Sequence, residues 1–337
     1  MTRFSPVISI LWSDPAGRLT KQLDSTRWGT DLNPRPPGLE EDVSTVLLGA
    51  TRLLAEAHVP NPDLDSAALL AHAWGIEASD LARRRLFGES VPAGVTEIFV
   101  ELLDLRRQRV PLQHITGVAA FRHLELKVGP GVFVPRPETE LLVTEVLDEL
   151  ERQRNAHEPF VVDLCSGSGA ITLSLATEHP KLSIVGVERE TEALNWSLKN
   201  LTAVNLGDST VELISGDATT FADDRPDLWG LADVVVTNPP YVPDEAVPRD
   251  PEVREHDPAA ALYGGFTGLE IPALIMRQAE KLLRPGGFFI MEHSEEQGPH
   301  ACELIMKTAS LRQAATYPDY TGRDRYTVAH RVTEVDL

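Results

Sequence analysis

The sequence predicts an α/β fold in which a mostly parallel sheet, covered by helices on both faces, follows a small all-helical N-terminal domain. From Pro135 onward, short segments rich in Val and Ile alternate with helical stretches, the pattern of strands that are buried on both faces. Upstream, in residues 42–110, apolar residues recur at helical spacing, as in VSTVLLGATRLLAEAHV. The chain has 337 residues, which is enough for two domains of this kind.

The same patterns divide the chain into four parts. Residues 1–41 are rich in Pro, Gly and acidic residues and are expected to be a disordered extension. Residues 42–110 are expected to form four or five helices, and residues 111–134, which alternate and contain a Gly-Pro-Gly turn, a β-hairpin linker. Residues 135–337 form the predicted sheet domain, with strands expected at residues 160–164, 183–188, 210–214, 232–238 and 287–292 and a final pair near 313–319 and 325–332.

Charge and cysteine content narrow the range of partners. The formal net charge is −20, which disfavours broad binding to phosphate backbones and suits small molecules or a basic protein. Cys165 and Cys302 are too few and too far apart for a disulfide framework or a zinc site, so we expect no metal and a reducing cytoplasm. No apolar run approaches the roughly 18 residues of a membrane span, and we expect no membrane contact.

A glycine loop follows the first predicted strand of the sheet domain, in VVDLCSGSGAITLSLA. Gly167 and Gly169 would let the backbone approach a ligand closely, with Asp163 at the strand end. Glu188 lies 19 residues beyond Gly169, at the tip of the next strand, where a carboxylate can accept hydrogen bonds from ribose hydroxyls. Asp217 follows the third strand and could accept from an adenine amino group. Taken alone, the loop fits NAD, another nucleotide or a tight turn, but its D-x-x-x-G-x-G spacing resembles class I S-adenosylmethionine methyltransferases.

The tetrapeptide Asn238-Pro239-Pro240-Tyr241 ends the fourth strand, at the edge of the sheet where ligands of such folds bind. The Asn238 side-chain oxygen and the Pro239 carbonyl are two acceptors that together can hold both N–H groups of a planar NH₂. The prolines would fix these acceptors in advance, and Tyr241 would offer a flat face to the substrate. This arrangement favours methyl transfer to a planar nitrogen, with no general base needed before transfer. The simpler alternative is a rigid turn after a core strand.

Several segments together resemble the peptide chain release factor glutamine methyltransferases, the HemK/PrmC family, over about residues 45–333. They are PLQHITGVAAF, VFVPRPETELLV, VVDLCSGSGAITLSLA, TNPPYVP, HDPAAALYGGFTGLEI, LLRPGGFFIMEHSEEQG and DYTGRDR. The resemblance implies a class I, Rossmann-like methyltransferase with a mostly parallel seven-stranded sheet over residues 135–337. It implies methyl transfer from S-adenosyl-L-methionine to the side-chain amide nitrogen of the glutamine in the Gly-Gly-Gln motif of class 1 release factors. Residues 42–110 would help to grip the release factor, without direct contact with nucleic acid.

The resemblance also assigns site residues. Asn238, Pro239, Pro240 and Tyr241 would bind the target glutamine, with Asn238 and Pro239 as the catalytic acceptors. S-adenosylmethionine would be surrounded by Asp163, Cys165, Ser166, Gly167, Ser168, Gly169, Glu188, Asp217, Ala218 and Asn238, with Arg136, Glu138 and Thr139 near its methionine end. For Arg136 and Glu138 the alternative is that they only cap the start of a helix.

The chain departs from the family pattern at three of these positions. Cys165 stands where the family usually has the first glycine of the loop, and Glu188 is a longer equivalent of the usual aspartate. Ala218 stands where an aromatic residue often packs on adenine, so this packing must come from elsewhere.

Three other functions share some of these features. A DNA or RNA amino-methyltransferase uses the same tetrapeptide, but the acidic charge and the lack of a basic cluster disfavour it. A ribosomal-protein glutamine methyltransferase differs only in overall resemblance. A non-catalytic binding module would show an eroded tetrapeptide or glycine loop, and here only the glycine replaced by Cys165 is missing.

Overall fold

The computed structural model describes residues 41–153 and 157–332, and the structural statements that follow concern these residues. The extension predicted over residues 1–41 lies outside them except for its last residue. Among the helices of the described residues, none is both long and apolar enough to cross a bilayer.

The N-terminal part of the described chain is helical. Its helices are α1 (Val43–Glu56), α2 (Pro62–Trp74), α3 (Ala78–Leu86), α4 (Ala93–Arg107) and α5 (Leu112–Thr116). They pack around a core of their own, which includes the fully buried Leu54, Leu69 and Leu70. Asp42 caps α1 by accepting a hydrogen bond from the Thr45 backbone N–H at 3.1 Å, and Gly75 ends α2 in the left-handed conformation, with φ 67°.

The hairpin is shorter than the one expected over residues 111–134. Its strands are β1 (Val118–Phe121) and β2 (Leu124–Lys127), paired antiparallel, and the segment before them forms helix α5 instead. Gly117, with φ 77°, ends this helix and starts the hairpin. Five residues span little more than one helical turn, so the apolar spacing could not distinguish a short helix from a strand there.

The sheet domain confirms the predicted fold class. Its seven strands lie in the order β5-β4-β3-β6-β7-β9-β8, and only β9 runs antiparallel to its neighbours. The strands are β3 (Phe160–Leu164), β4 (Ser183–Glu188), β5 (Thr210–Ser215), β6 (Ala232–Thr237), β7 (Leu283–Glu292), β8 (Leu311–Pro318) and β9 (Asp324–Arg331).

Helices cover both faces of this sheet. They are α6 (Glu140–Gln153), α7 (Ala170–Glu178), α8 (Thr191–Leu201), α9 (Phe221–Asp224), α12 (Glu270–Leu282) and α13 (Gly298–Met306). Two short helices, α10 (Pro251–His256) and α11 (Ala259–Leu262), lie between β6 and α12 in the chain, and 3₁₀ turns lie at Pro137–Thr139 and Pro226–Leu228. Strand β6 is buried along its whole length, with Val234 and Val236 in the core of one face and Val235 in the core of the other. This burial on both faces explains the unbroken apolar run.

The chain order reverses between β3 and β6. From β3 the chain proceeds through β4 to β5 on one side, then crosses to β6 and β7 on the other. The connections that leave the carboxyl ends of β3 and β6 therefore run to opposite sides of the sheet, and a crevice lies between them. Ligands usually bind in this crevice in such sheets.

An ionic cluster, which we call the clasp, joins the helical part to the sheet domain. Arg106 contacts Asp65 at 2.7 Å and Glu252 at 2.8 Å, and Arg109 contacts the second oxygen of Glu252 at 2.6 Å. Arg106 is buried, and the Glu252 side chain is only 14% exposed. Burial acts to raise the pKa of Glu252, but the two guanidinium groups hold it below its ordinary value.

Candidate active site

A cavity of about 270 Å³ opens at the carboxyl ends of β3, β4 and β6. It lies near the lower limit of small-molecule sites, which enclose roughly 300–1,000 Å³. Most of the predicted site residues line it: Arg136, Cys165, Ser166, Gly167, Ser168, Glu188, Asp217, Ala218, Asn238, Pro240 and Tyr241. The structure thus brings the glycine loop and the tetrapeptide to one cavity.

The glycine loop is held in shape by its backbone. The N–H groups of Cys165 and Ser166 both donate to the Val187 carbonyl, at 3.0 and 2.9 Å. Cys165, Gly167 and Gly169 all have positive φ, of 71°, 57° and 84°. Glycine adopts this conformation freely, whereas a residue with a Cβ is strained there, which explains why a first glycine would suit the position of Cys165. Burial raises the pKa of the Cys165 thiol, so the side chain is neutral.

Two carboxylates approach the cavity from the ends of β4 and β5. Glu188 accepts hydrogen bonds from the backbone N–H groups of Gly167 at 2.9 Å and Glu190 at 2.8 Å. Burial raises the pKa of Glu188, against the effect of these donors. Burial also acts to raise the pKa of Asp217, but hydrogen bonds from Thr219 to one of its oxygens lower it overall. Both carboxylates keep lone pairs for a ligand.

Four predicted site residues are not among those that line the cavity: Glu138, Asp163, Gly169 and Pro239. Asp163 is fully buried and accepts a hydrogen bond from the Thr172 hydroxyl at 2.6 Å, so its carboxylate supports the loop from beneath. Gly169 begins helix α7, and a Cβ at this position would press on Leu173 and Ser197 at 3.2 and 3.3 Å. The expectation that Glu138, Asp163, Gly169 and Pro239 touch a ligand stays a prediction.

The orientation of the Asn238 amide is set by a hydrogen-bond chain. The Asn238 amide nitrogen donates to the Thr139 hydroxyl at 3.2 Å, and that hydroxyl donates to a Glu292 oxygen at 2.7 Å. The other Glu292 oxygen accepts from the Tyr241 hydroxyl at 3.2 Å. Because the nitrogen of the Asn238 amide is engaged, its oxygen is the acceptor left for a ligand.

Sequence reasoning missed Glu292 as a site residue. It ends the buried strand β7, is 2% exposed, contacts Tyr241 directly and is linked to Asn238 through Thr139. Burial raises its pKa to about 7, although Thr139, Arg325 and Tyr241 all act to lower it. An acidic residue at the end of an apolar strand was the available signal, since the same reasoning had singled out Glu188.

Arg136 is held by a partner that the sequence did not indicate. Its guanidinium donates to Asp257 at 2.6 Å and lies 4.8 Å from the centre of the Phe133 ring. No capping hydrogen bond from its side chain is seen at the start of the 3₁₀ turn Pro137–Thr139. Burial raises the pKa of Asp257 to about 6, against the opposing effect of Arg136.

The residues of the cavity fit S-adenosylmethionine. The Ser166 hydroxyl is buried at the cavity without a partner within the described part of the chain, so a polar ligand would satisfy it. A Cβ at Gly167 would have nothing within 4 Å, so the backbone there is open to the cavity. Glu188 and Asp217 supply acceptors for hydroxyl and amino groups, and Val187, Ala218 and Ile275 supply apolar contact.

Comparisons with known proteins identify the family of the chain. Residues 45–117 match the model of the PrmC N-terminal domain, and residues 124–251 match that of the methyltransferase small domain. A protein named release factor glutamine methyltransferase from Bifidobacterium longum is 44% identical over 293 residues, which cover 85% of this chain and 99% of the relative. The protein of the same name from Streptomyces coelicolor is 42% identical over 84% of this chain and 95% of the relative. One from Mycolicibacterium smegmatis is 37% identical over 86% and 97%. The chain is an S-adenosylmethionine-dependent methyltransferase and belongs to the release factor glutamine methyltransferase family.

Proposed function

We propose that this enzyme methylates the side-chain amide nitrogen of the glutamine in the Gly-Gly-Gln motif of class 1 peptide chain release factors. The observation that carries the proposal is the Asn238 amide, whose nitrogen is occupied by Thr139 so that its oxygen is free to accept. An acceptor pair recognises a carboxamide NH₂ and rejects a carboxylate, which has no N–H to donate. Relatives that align over nearly their whole length carry the corresponding name.

In this reaction the residues of the chain bind and orient the substrate amide. The Asn238 side-chain oxygen and the Pro239 carbonyl accept the two N–H groups of the glutamine, which holds its nitrogen in one direction. As positive charge develops on that nitrogen, the two fixed acceptors stabilise it. The Tyr241 ring packs against the flat amide, and its pKa is raised by burial and by Glu292, so it remains a neutral phenol. Bound S-adenosylmethionine supplies the methyl group, and the methylated amide nitrogen then loses one of its protons to water.

Cofactor binding is assigned to the residues around the glycine loop. We propose that Ser166, Gly167 and Ser168 contact the methionine portion, Glu188 the ribose hydroxyls and Asp217 the adenine amino group. Val187, Ala218 and Ile275, which line the cavity and belong to one apolar cluster, replace the aromatic packing on adenine that is missing at residue 218.

The partner is expected to approach from the side of Tyr241. A second cavity of about 560 Å³ adjoins Tyr241 and Val242 and is lined by Glu295 and Glu296, which suits a basic segment beside the target glutamine. On the helical part, Leu86 and Phe87 are 82% and 70% exposed, which supports the proposal that residues 42–110 grip the release factor. The cytoplasmic location also stays a prediction.

The test is a transfer assay with radiolabelled S-adenosylmethionine and a purified class 1 release factor, followed by mass spectrometry of the labelled peptide. We expect one methyl group on the glutamine of the Gly-Gly-Gln motif, and no label when that glutamine is replaced by glutamate. Label on the glutamate variant, or only on a ribosomal protein or a nucleic acid supplied in parallel, would refute the assignment.

The enzyme side of the assay uses Asn238→Ala. Loss of a fixed transition-state acceptor costs about 10²–10³ in kcat, and we expect a fall of this size. Binding of S-adenosylmethionine, measured by calorimetry, should remain detectable, because most of the cofactor contacts are made by other residues. Wild-type turnover in this variant would remove Asn238 from the mechanism.

A further inference from the structure

One buried carboxylate is linked to both ends of the tetrapeptide, to Tyr241 directly and to Asn238 through Thr139. One oxygen of Glu292 accepts a hydrogen bond from the Thr139 hydroxyl at 2.7 Å, and the Thr139 oxygen accepts one from the Asn238 amide nitrogen at 3.2 Å. The other oxygen of Glu292 accepts a hydrogen bond from the Tyr241 hydroxyl at 3.2 Å. Glu292 and Thr139 are both at least nine-tenths buried, so the hydrogen bond between them is shielded from solvent.

We propose that Glu292 is a positioning residue for methyl transfer: through Thr139 it fixes which atom of the Asn238 amide faces the substrate, and through the Tyr241 hydroxyl it fixes the ring that packs on the substrate amide. This inference rests on the proposed function. In this proposal Glu292 does not touch the substrate. It sets the orientation of two residues that do, Asn238 and Tyr241.

The single proton of the Thr139 hydroxyl decides the orientation of the Asn238 amide. A side-chain amide has nearly the same shape when its oxygen and nitrogen exchange places, so only its hydrogen bonds select one orientation. The Thr139 hydroxyl has one proton, which it donates in a hydrogen bond to Glu292. Thr139 can then only accept from Asn238, and the amide nitrogen must face it. The Asn238 oxygen is left towards the cavity, where it meets the N–H groups of the glutamine.

The opposite orientation would stop the reaction. If Thr139 donated its proton to the Asn238 oxygen, the Asn238 NH₂ would face the NH₂ of the substrate, and two donors would meet. An ionised carboxylate excludes this state because it only accepts hydrogen bonds. The same chain of donors polarises the Asn238 carbonyl, since hydrogen bonds in series strengthen one another.

A matched pair at residue 139 tests the inference. Thr139→Val keeps the shape of the side chain and removes the hydroxyl, whereas Thr139→Ser keeps the hydroxyl. We expect Thr139→Val to lower kcat by about tenfold to a hundredfold, because misdirected catalytic groups cost rate on this scale. Thr139→Ser should stay close to wild type, and the dissociation constant of S-adenosylmethionine should change little in either variant. Equal turnover in the two variants would overturn the proposal.

Combined variants separate the two arms of the network. Glu292→Met keeps the length of the side chain and removes both carboxylate oxygens. This variant should lower kcat as much as Thr139→Val and Tyr241→Phe together, and adding it to that double variant should change kcat no further. A Glu292→Met enzyme with wild-type kcat, or a loss seen only in cofactor binding, contradicts a positioning role. If Glu292→Met does not fold, the comparison of Val and Ser at residue 139 still decides.

The pH profile gives a readout that a purely structural role would not move. Arg325, Tyr241 and Glu138 are the titratable groups that act on Glu292, and burial raises its pKa to about 7. A protonated Glu292 has a proton to donate and no longer enforces the orientation. The kcat of the wild-type enzyme should therefore fall as the pH drops through about 7, and this fall should be absent in Thr139→Val. If kcat of Thr139→Val falls in the same way, the pH dependence belongs to another group.

Failure of this inference differs from failure of the proposed function. If the release factor is not the substrate, the wild-type enzyme leaves it unlabelled and no variant can be compared. If the wild-type enzyme labels the glutamine and Thr139→Val does so equally well, only the positioning role of Glu292 is lost.

Discussion

Replacing Gly264 by Ala should disable the enzyme through the backbone of the tetrapeptide. A Cβ at residue 264 would lie 2.4 Å from the Pro240 carbonyl oxygen and 2.5 Å from that of Gly268, whereas real Cβ contacts essentially never fall below 3.0 Å. The backbone must therefore separate by at least about 0.6 Å. Pro240 is rigid, so it passes this shift to its neighbours on both sides. A misplacement of this order can cost about a hundredfold in rate, and overpacking about 1–3 kcal/mol of stability.

The assay compares kcat, the dissociation constant of S-adenosylmethionine and urea unfolding in Gly264→Ala and Gly49→Ala. A Cβ at Gly49 meets nothing within 4 Å, and this glycine lies in the middle of helix α1, where alanine should stabilise by about 0.5–1 kcal/mol. We expect kcat to fall about a hundredfold in Gly264→Ala only, with the protein still folded. Wild-type turnover in Gly264→Ala would refute the claim that the position of Pro240 limits catalysis.

Three further substitutions test other parts of the structure. Cys165→Gly should relieve the strain of the left-handed backbone at this residue, which costs about 1–2 kcal/mol and is partly offset by the packing lost with the side chain. The midpoint of urea unfolding should therefore rise, and a lower midpoint would contradict this account. Burial raises the pKa of Asp163 in the folded protein from 3.8 to about 7. The stability linked to this group is therefore fully present below about pH 4 and is lost as the pH rises to 7. The stability of Asp163→Asn relative to wild type should grow over this interval, by at most about 1.4 kcal/mol per pH unit, and level off above pH 7. Glu252→Ala leaves Arg109 without a carboxylate partner, whereas Arg106 keeps Asp65, so we expect a cost of about 3 kcal/mol, the lower end of the range for a broken buried pair. A change below about 1 kcal/mol would mean that the clasp is not tight in solution.

The residues that the sequence predicted best are those that follow directly from strand order. Once β3, β4 and β6 are recognised by their apolar runs, their carboxyl ends must share an edge, so Gly167, Glu188 and Asn238 must be near one another. The seven-stranded sheet was predictable for the same reason. No knowledge of side-chain contacts was required for these predictions.

Pairings between distant segments were not predictable in this way. Arg136 and Asp257 are 121 residues apart, and Thr139 and Glu292 are 153 apart. Which side chains meet across such distances depends on the packing of loops, and hydrophobic periodicity carries no information about that packing. The surroundings of Asp163 were not predictable for a related reason: alternate residues of a strand point to opposite faces, and a strand-end position alone does not show that its side chain turns inward to Thr172.

The clasp couples the helical part to the cavity through neighbouring residues of one short helix. Glu252 is paired with Arg106 and Arg109 of the helical part, and the next residue, Val253, lines the cavity. A displacement of the end of α4 would therefore be passed to the cavity wall through a single peptide unit. A protein engineered to carry the sheet domain without residues 42–110 would have to replace these two arginines, because Glu252 would otherwise lose both of its counter-ions.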